Sequence, residues 1–233
     1  MELKIGIIAA MDVEINNLKE ETFILKTTKI AGMDFCEGIL EGKNVVIVKS
    51  GMGKVNAAIC ANTLITIFKC VKIINTGIAG SLDSKIDIGD IVISTEAVNH
   101  DFTVEYLGFK KGEVPYTGLV AFPADKDMIE KAKIAIKNEA PEINIHLGRI
   151  CSGDQFISTS EQKDTIIKNF GGLCCEMEGA SIAQTCYLHN ISFVIIRVIS
   201  DKPNETVYLE YSVFEKEASN RCSKVIKYFV KNL

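Results

Sequence analysis

Residues 3 to 10, LKIGIIAA, form an unbroken apolar run, after which apolar positions recur at Met11, Ile15 and Leu18. The run reads as a strand covered on both faces, and the recurrence every three or four residues reads as a helix. Three strand-like pieces follow, FILKTTKIA, MDFCEGILEG and NVVIVKSG, with Gly-Met-Asp and Gly-Lys-Asn between them. That punctuation predicts a meander of hairpins. A buried helix is expected over 54–68, then a buried strand in VKIINTGIAGSL leading into a tight glycine turn, then a strand in GDIVISTEAV. From His100 to Phe122 no period is visible, and an excursion of this kind points to function or an interface. Beyond it the pattern predicts a helix over about 126–139, the strand INIHLGRICSGD, a helix after Ser160, the strand GLCCEM, a helix from Glu178 and the strand ISFVIIRVIS. A last helix, over about 212–230, carries an apolar stripe of Phe214, Ala218, Cys222, Val225, Ile226 and Phe229.

Apolar strands alternating with helices imply an α/β fold, with a mostly parallel sheet covered on both faces and some antiparallel hairpins. No repeat, low-complexity linker or second-domain boundary interrupts the pattern, so 1–233 are expected to form one domain. Composition adds exclusions. The net charge is −4 with no basic cluster, which argues against a nucleic-acid or anionic-membrane surface. The apolar core of MELKIGIIAAMDVE is too brief for a secretion signal, and acids stand where a cleavage site would be needed. No run approaches the ~18 apolar residues of a membrane span, and a cytoplasmic location is expected. The eight cysteines make no C-x-x-C pair and lie mostly in apolar runs, so they are expected to be free and buried. His100, His146 and His189 make no metal-ligand spacing with them, and neither metal nor cofactor is expected.

In such sheets ligands bind at the carboxyl ends of the strands. The residues leaving the predicted strands are Met11, Asp12 and Glu14, then SGMGK, NTGIAGS, SGDQFIS, CCEMEGA and RVISDKPNE. GMGK is not a Walker loop, because Val48 replaces the first glycine and Val55 the metal-binding hydroxyl. It is not a dinucleotide fingerprint either, with Asn56 at the third glycine position. Taken singly, each remaining group has an ordinary role. Glu178 could favour the positive end of its own helix, Asp201 could begin a turn before Pro203, and Phe156 could be core. Together they point elsewhere, because several carboxylates at one sheet edge are costly without work to do.

IGIIAAMDVEI, SGMGKVNAA, INTGIAGSL, GDIVIS, SGDQFI, CCEMEGASIAQTC and VIIRVISD stand in the order and spacing of the methylthioadenosine/S-adenosylhomocysteine nucleosidases, a branch of the nucleoside phosphorylase family that the chain resembles end to end. EMEGASIA together with RVISD is the most specific part of the match. The resemblance implies a three-layer αβα fold around a mixed sheet, assembled as a homodimer. It implies that Asp201 is the general acid protonating adenine N7, that Glu14 orients and deprotonates the attacking water, and that Glu178 holds the ribose hydroxyls. It also places Met177 against the sugar, Phe156 against adenine, backbone groups of Ile157 at the base edge, Ser200 beside Asp201 and Arg197 near the water. Glu176, Ile78, Ala79, Gly80, Met11, Met52 and Tyr211 complete the implied substrate pocket, with Glu176 in a lesser substrate or structural role. Residues around Val104, Leu107 and Pro115 match the loop that reaches the neighbouring subunit's 5′-substituent pocket.

The residue types suit that chemistry. Cleaving an N-glycosidic bond through a ribosyl cation needs an acid for the leaving base and a base for water, each worth roughly 10²–10⁴-fold. Burial would raise the acid's pKa into a useful range, whereas Glu178 is expected to stay ionised beside the developing cation. The sister phosphorylases bind phosphate with arginines, yet Arg149, Arg197 and Arg221 are the only arginines, and none lies in the first-strand turn or beside Asn75-Thr76-Gly77. Water is therefore the expected nucleophile. Ile78 departs from the serine common in these nucleosidases, and Tyr211 from phenylalanine. The expected activity is adenine release from 5′-methylthioadenosine, S-adenosylhomocysteine and 5′-deoxyadenosine. Its alternatives are a hydrolase of another purine nucleoside (futalosine-type), a purine nucleoside phosphorylase, and a non-catalytic nucleoside-binding protein on the same fold.

Overall fold

The computed structural model describes residues 3–202 and 207–233, excluding the side chains of 207–216. In chain order its elements are β1 (Lys4–Ala9), α1 (Asp12–Glu21), β2 (Phe23–Ile30), β3 (Met33–Leu40), β4 (Lys43–Lys49), α2 (Lys54–Thr66), β5 (Lys72–Ser81), β6 (Ile91–Asn99), β7 (Ala121–Pro123), α3 (Lys126–Glu139), β8 (Ile145–Ser152), α4 (Ser160–Phe170), β9 (Cys174–Glu176), α5 (Gly179–Leu188), β10 (Ser192–Asp201) and α6 (Val207–Lys231). The predicted meander is present: β2 pairs antiparallel with β3, and β3 with β4. Each hairpin turns on two residues of positive φ, Ala31-Gly32 and Glu41-Gly42, the backbone that matches strand twist in two-residue loops.

β1 lies between β4 and β5, parallel to both, and β10 runs parallel to β5 on its other side. β10 also pairs with β6, β6 with β8, β8 with β9, and β9 back with β5. Five strands thus close a ring inside the larger mixed sheet. One helical layer contains α1, α6 and α3 and another contains α2 and α5, giving the expected αβα layering. Ile7, Ile8, Ile73, Ile74, Ile195 and Ile196 are fully buried, as strands covered on both faces require. All eight cysteines are free and buried. Among the described residues no helix is long and apolar enough to cross a membrane.

Two boundaries differ from the sequence reading. NTGIAGS does not leave the strand; β5 continues through Gly77 and Gly80 to Ser81. Its glycine serves close approach instead, since a Cβ on Gly77 would stand 2.5 Å from Glu14 Oε1. α6 starts at Val207, ahead of the expected 212, because Val207 and Tyr208 favour strands and blur the helical period. Ala218, Cys222, Val225, Ile226 and Phe229 form its buried stripe, while the side chains of Phe214 and Tyr211 lie outside the described residues.

Candidate active site

The ends of β1, β5, β9 and β10 and the turns after β4 and β8 surround one cleft, whose volume counted to its open mouth is about 580 Å³. Glu14, Glu176, Glu178, Asp201, Met11, Met52, Ile78, Ala79, Gly80, Phe156, Ile157, Met177 and Ser200 all line it. Sequence positions from 11 to 201 therefore meet as expected. Arg197 does not line the cleft; it is fully buried behind the wall. Tyr211 lies outside the described side chains.

Glu14, in the first turn of α1, folds back to cap its own helix start. Its Oε2 accepts the Ala10 and Met11 N–H groups, both at 2.9 Å, and its Oε1 accepts the Ile78 N–H at 3.0 Å. Three amides thus fix both oxygens of a carboxylate that is 3% exposed. Burial raises its pKa above the ordinary carboxylate value, opposed by the nearby Arg197 charge and by the three amides.

Glu176 and Glu178 divide the work that the sequence left open. Glu176 accepts the Gly179 N–H at 2.8 Å and the Glu178 N–H at 3.2 Å, so it occupies the positive end of α5. It also accepts the Ser152 hydroxyl and pairs with Arg197 Nη2, which further donates to Asn75 Oδ1 at 2.6 Å. Protein donors therefore occupy the Glu176 carboxylate. Glu178, relieved of capping, faces the cleft and accepts the Gly53 N–H at 2.8 Å. Burial, then the Glu176 charge, pushes its carboxyl up to about 7, so it is not comfortably ionised near neutrality as the sequence suggested.

At the end of β10 a bulge between Ile199 and Asp201 shifts the register with β5. Neighbours in a regular strand point to opposite faces, and the bulge lets Ser200 and Asp201 both border the cleft. Asp201 is 3% exposed, and Ser200 Oγ donates to its Oδ1 at 2.7 Å. Phe156 is half exposed at the opening, not core. No lysine or arginine lines the cleft among the described residues. Arg149 is spent on Glu96 and the Phe170 carbonyl, and Arg221 on the Gly89 carbonyl and Glu217.

Sequence reasoning did not single out Ala10, Gln155 and Cys175, which also line the cleft, nor Ser152, Asn75 and Gly53, which hold its carboxylates and guanidinium. Ala10, Gln155, Cys175 and Gly53 sit directly beside a residue that was identified, and Ser152 and Asn75 fall within the strand-end segments SGDQFIS and NTGIAGS, so strand-end position was the available signal. Val104, Leu107 and Pro115 lie outside this cleft, with Leu107 strongly exposed.

Comparison with known proteins supplies independent findings. Residues 4–231 match the family model of the phosphorylase superfamily. A 5′-methylthioadenosine/S-adenosylhomocysteine nucleosidase from Exiguobacterium sp. is 42% identical, covering 99% of both chains. Among solved structures, the nucleosidase of that name from Neisseria meningitidis, in complex with methylthio-immucillin-A, has a TM-score of 0.95 at 37% identity, covering 99% of both chains. The one from Colwellia psychrerythraea, in complex with adenine, has a TM-score of 0.95 at 35% identity, covering 100% of this chain and 96% of that one. Futalosine hydrolase of Helicobacter pylori has a TM-score of 0.93 at 27% identity, covering 99% and 98%.

Proposed function

The chain belongs to the phosphorylase superfamily and, within it, to the 5′-methylthioadenosine/S-adenosylhomocysteine nucleosidases, and from that premise we propose that it hydrolyses the N-glycosidic bond of those two nucleosides and of 5′-deoxyadenosine. One observation carries this reading: Glu14, Glu178 and Asp201 are buried around a single cleft whose described lining contains no cation. Carboxylates favour a ribosyl cation and repel a phosphate dianion, so water is the better nucleophile.

Asp201, steadied by Ser200, is the acid that protonates N7 of the leaving adenine. Glu14 holds and deprotonates the water; with Ile78 in place of a serine, that position offers only its amide, which Glu14 already takes. Glu178 binds the ribose hydroxyls, Met177 lies on the sugar, and Phe156 and Ile157 bound the base. Glu176 is a positioning residue that anchors Arg197 and α5, and Arg197 acts from behind the wall by balancing the carboxylates. The test is adenine release from 5′-methylthioadenosine, S-adenosylhomocysteine, 5′-deoxyadenosine, adenosine and futalosine, each with and without phosphate. Phosphate-independent release from the first three is expected; strict phosphate dependence would make the chain a phosphorylase, and release confined to futalosine would make it the other hydrolase.

Glu178 supplies a pH signature. Its carboxyl is pushed from 4.5 up to about 7 in the folded chain, so folding takes up a proton over that interval. The contribution is complete below about pH 4.5 and is lost as the pH rises to about 7. Glu14 acts in the same direction; His100, lowered by burial, acts against it up to the ordinary histidine range. Asp90, Asp101 and Asp125 are held down and matter only at lower pH. The difference between proteins is therefore the readout. Glu178→Gln is expected to gain Tm relative to the parent as pH rises from about 5 to 7.5. A difference that stays constant over that range would contradict it.

The homodimer is part of the same reading. Val55 and Ile59 on α2, with Tyr106 and Leu107 in the excursion after β6, are exposed apolar side chains suited to a second copy. Sedimentation should give twice the chain mass, and a monomer at micromolar concentration would remove this part.

A further inference from the structure

Helix α2 starts at a residue that cannot cap it. Its N-cap is Gly53, at φ 95°, which offers no side chain to the first turn. The cap comes from another loop: Asp154 Oδ1 accepts the Lys54 N–H at 2.8 Å. Asp101 Oδ2 in turn accepts the Asp154 N–H at 2.9 Å, and Asp101 Oδ1 takes Lys54 Nζ at 2.5 Å. Each of the three residues is thus bound to the other two, and they come from three segments: the start of α2, the chain just after β6, and the turn between β8 and α4. Burial pushes the Asp101 carboxyl up, but the Lys54 and Asp154 hydrogen bonds outweigh it and hold its pKa below the ordinary value.

None of the three lines the cleft, yet their chain neighbours hold or form its wall on two sides. Gly53, beside Lys54, donates to Glu178. Gln155, Phe156 and Ile157, directly after Asp154, form another part of the lining. The segments touch, since Asp154 Oδ1 stands 3.2 Å from the position of a Cβ on Gly53.

We propose that Asp154 is a positioning residue that sets the separation between the wall holding the sugar and the wall holding the base. This rests on the nucleosidase reading, in which Glu178 takes the ribose hydroxyls and Phe156 and Ile157 take adenine. Misplacement by about 1 Å can cost on the order of 100-fold in rate. A ligand that touches one wall only is insensitive to their separation, whereas a nucleoside spans both.

The experiment compares the parent with Asp154→Ala, Asp154→Asn and the double variant Asp101→Ala with Asp154→Ala, reading kcat and KM for 5′-methylthioadenosine and calorimetric Kd values for adenine and a non-hydrolysable adenine nucleoside. Asp154→Ala is expected to raise the nucleoside KM and Kd about tenfold, with adenine Kd changed less than about twofold. Asp154→Asn keeps the Oδ1 acceptor and is expected to restore both to within about threefold, while Asp101→Ala combined with Asp154→Ala does no further harm because the ring is already open. An unchanged nucleoside Kd in Asp154→Ala, parallel loss of adenine, or an Asn variant no better than Ala would each overturn the proposal. A parent protein that binds the nucleoside but releases no adenine would defeat the hydrolase reading, and the binding comparison would still decide the role of Asp154.

Discussion

Asp201→Asn is expected to lower adenine release from 5′-methylthioadenosine by about 10²–10⁴-fold, with Tm unchanged to within about 2 °C. Asparagine matches aspartate in shape and keeps an oxygen where Ser200 Oγ donates at 2.7 Å. It cannot deliver a proton to a departing purine. The bulge that lets Ser200 and Asp201 share the cleft is a backbone feature and survives the substitution. Loss of rate therefore separates from loss of fold. Steady-state kinetics with a thermal melt of the same sample reads both, and an Asn variant with parental kcat would remove the acid assignment.

Glu14→Gln should lose turnover by a comparable factor, about 10²–10⁴-fold, but it carries a second cost that Asp201→Asn does not. Glu14 uses both oxygens as acceptors, Oε2 for two amides and Oε1 for one. Glutamine has a single oxygen, so its NH₂ must face an N–H donor. The better orientation keeps the oxygen on Ala10 and Met11 and leaves the Ile78 N–H without an acceptor in a buried place. An unsatisfied buried donor costs about 1–3 kcal/mol, and each kcal/mol lowers Tm by about 2–4 °C in a chain of this size. The variant is expected to be both slow and several degrees less stable. A slow variant with parental Tm would mean that the amides accommodate the NH₂. Parental kinetics would remove the base assignment.

Much of this site was legible in sequence because the α/β architecture gathers strand ends. Glu14, Glu178 and Asp201 stood among the candidates because of their place after apolar runs, the family resemblance singled them out, and the structure brings all three to one cleft. Hairpin turns were readable through Gly32 and Gly42, and helices through their apolar spacing. What local pattern could not carry was pairing between distant segments. β5 and β10 are both plain buried strands, and nothing in either announces that they lie side by side or that β6, β8 and β9 return to β5. The same limit left open whether Glu176 has a substrate or a structural role, since its partners Ser152 and Arg197 lie at least 21 residues away. Gly77 was placed among the residues leaving the strand, because the reason for a glycine there is a side chain from a different element.

The closed ring of strands also dictates the order in which a growing chain can complete the site. β5 is finished at Ser81, but its neighbour β10 begins only at Ser192. A polypeptide still emerging from the ribosome and stopped before Ser192 already contains Glu14, Glu176 and Glu178, and lacks both Asp201 and the guanidinium of Arg197 that those carboxylates share. Burying three like charges without their counter-charge is strongly unfavourable, and the cation that balances them comes only with the tenth strand. The last strand to be synthesised thus delivers together the acid, the balancing cation and the partner that closes the ring, and only α6, which packs against that strand, remains to be added.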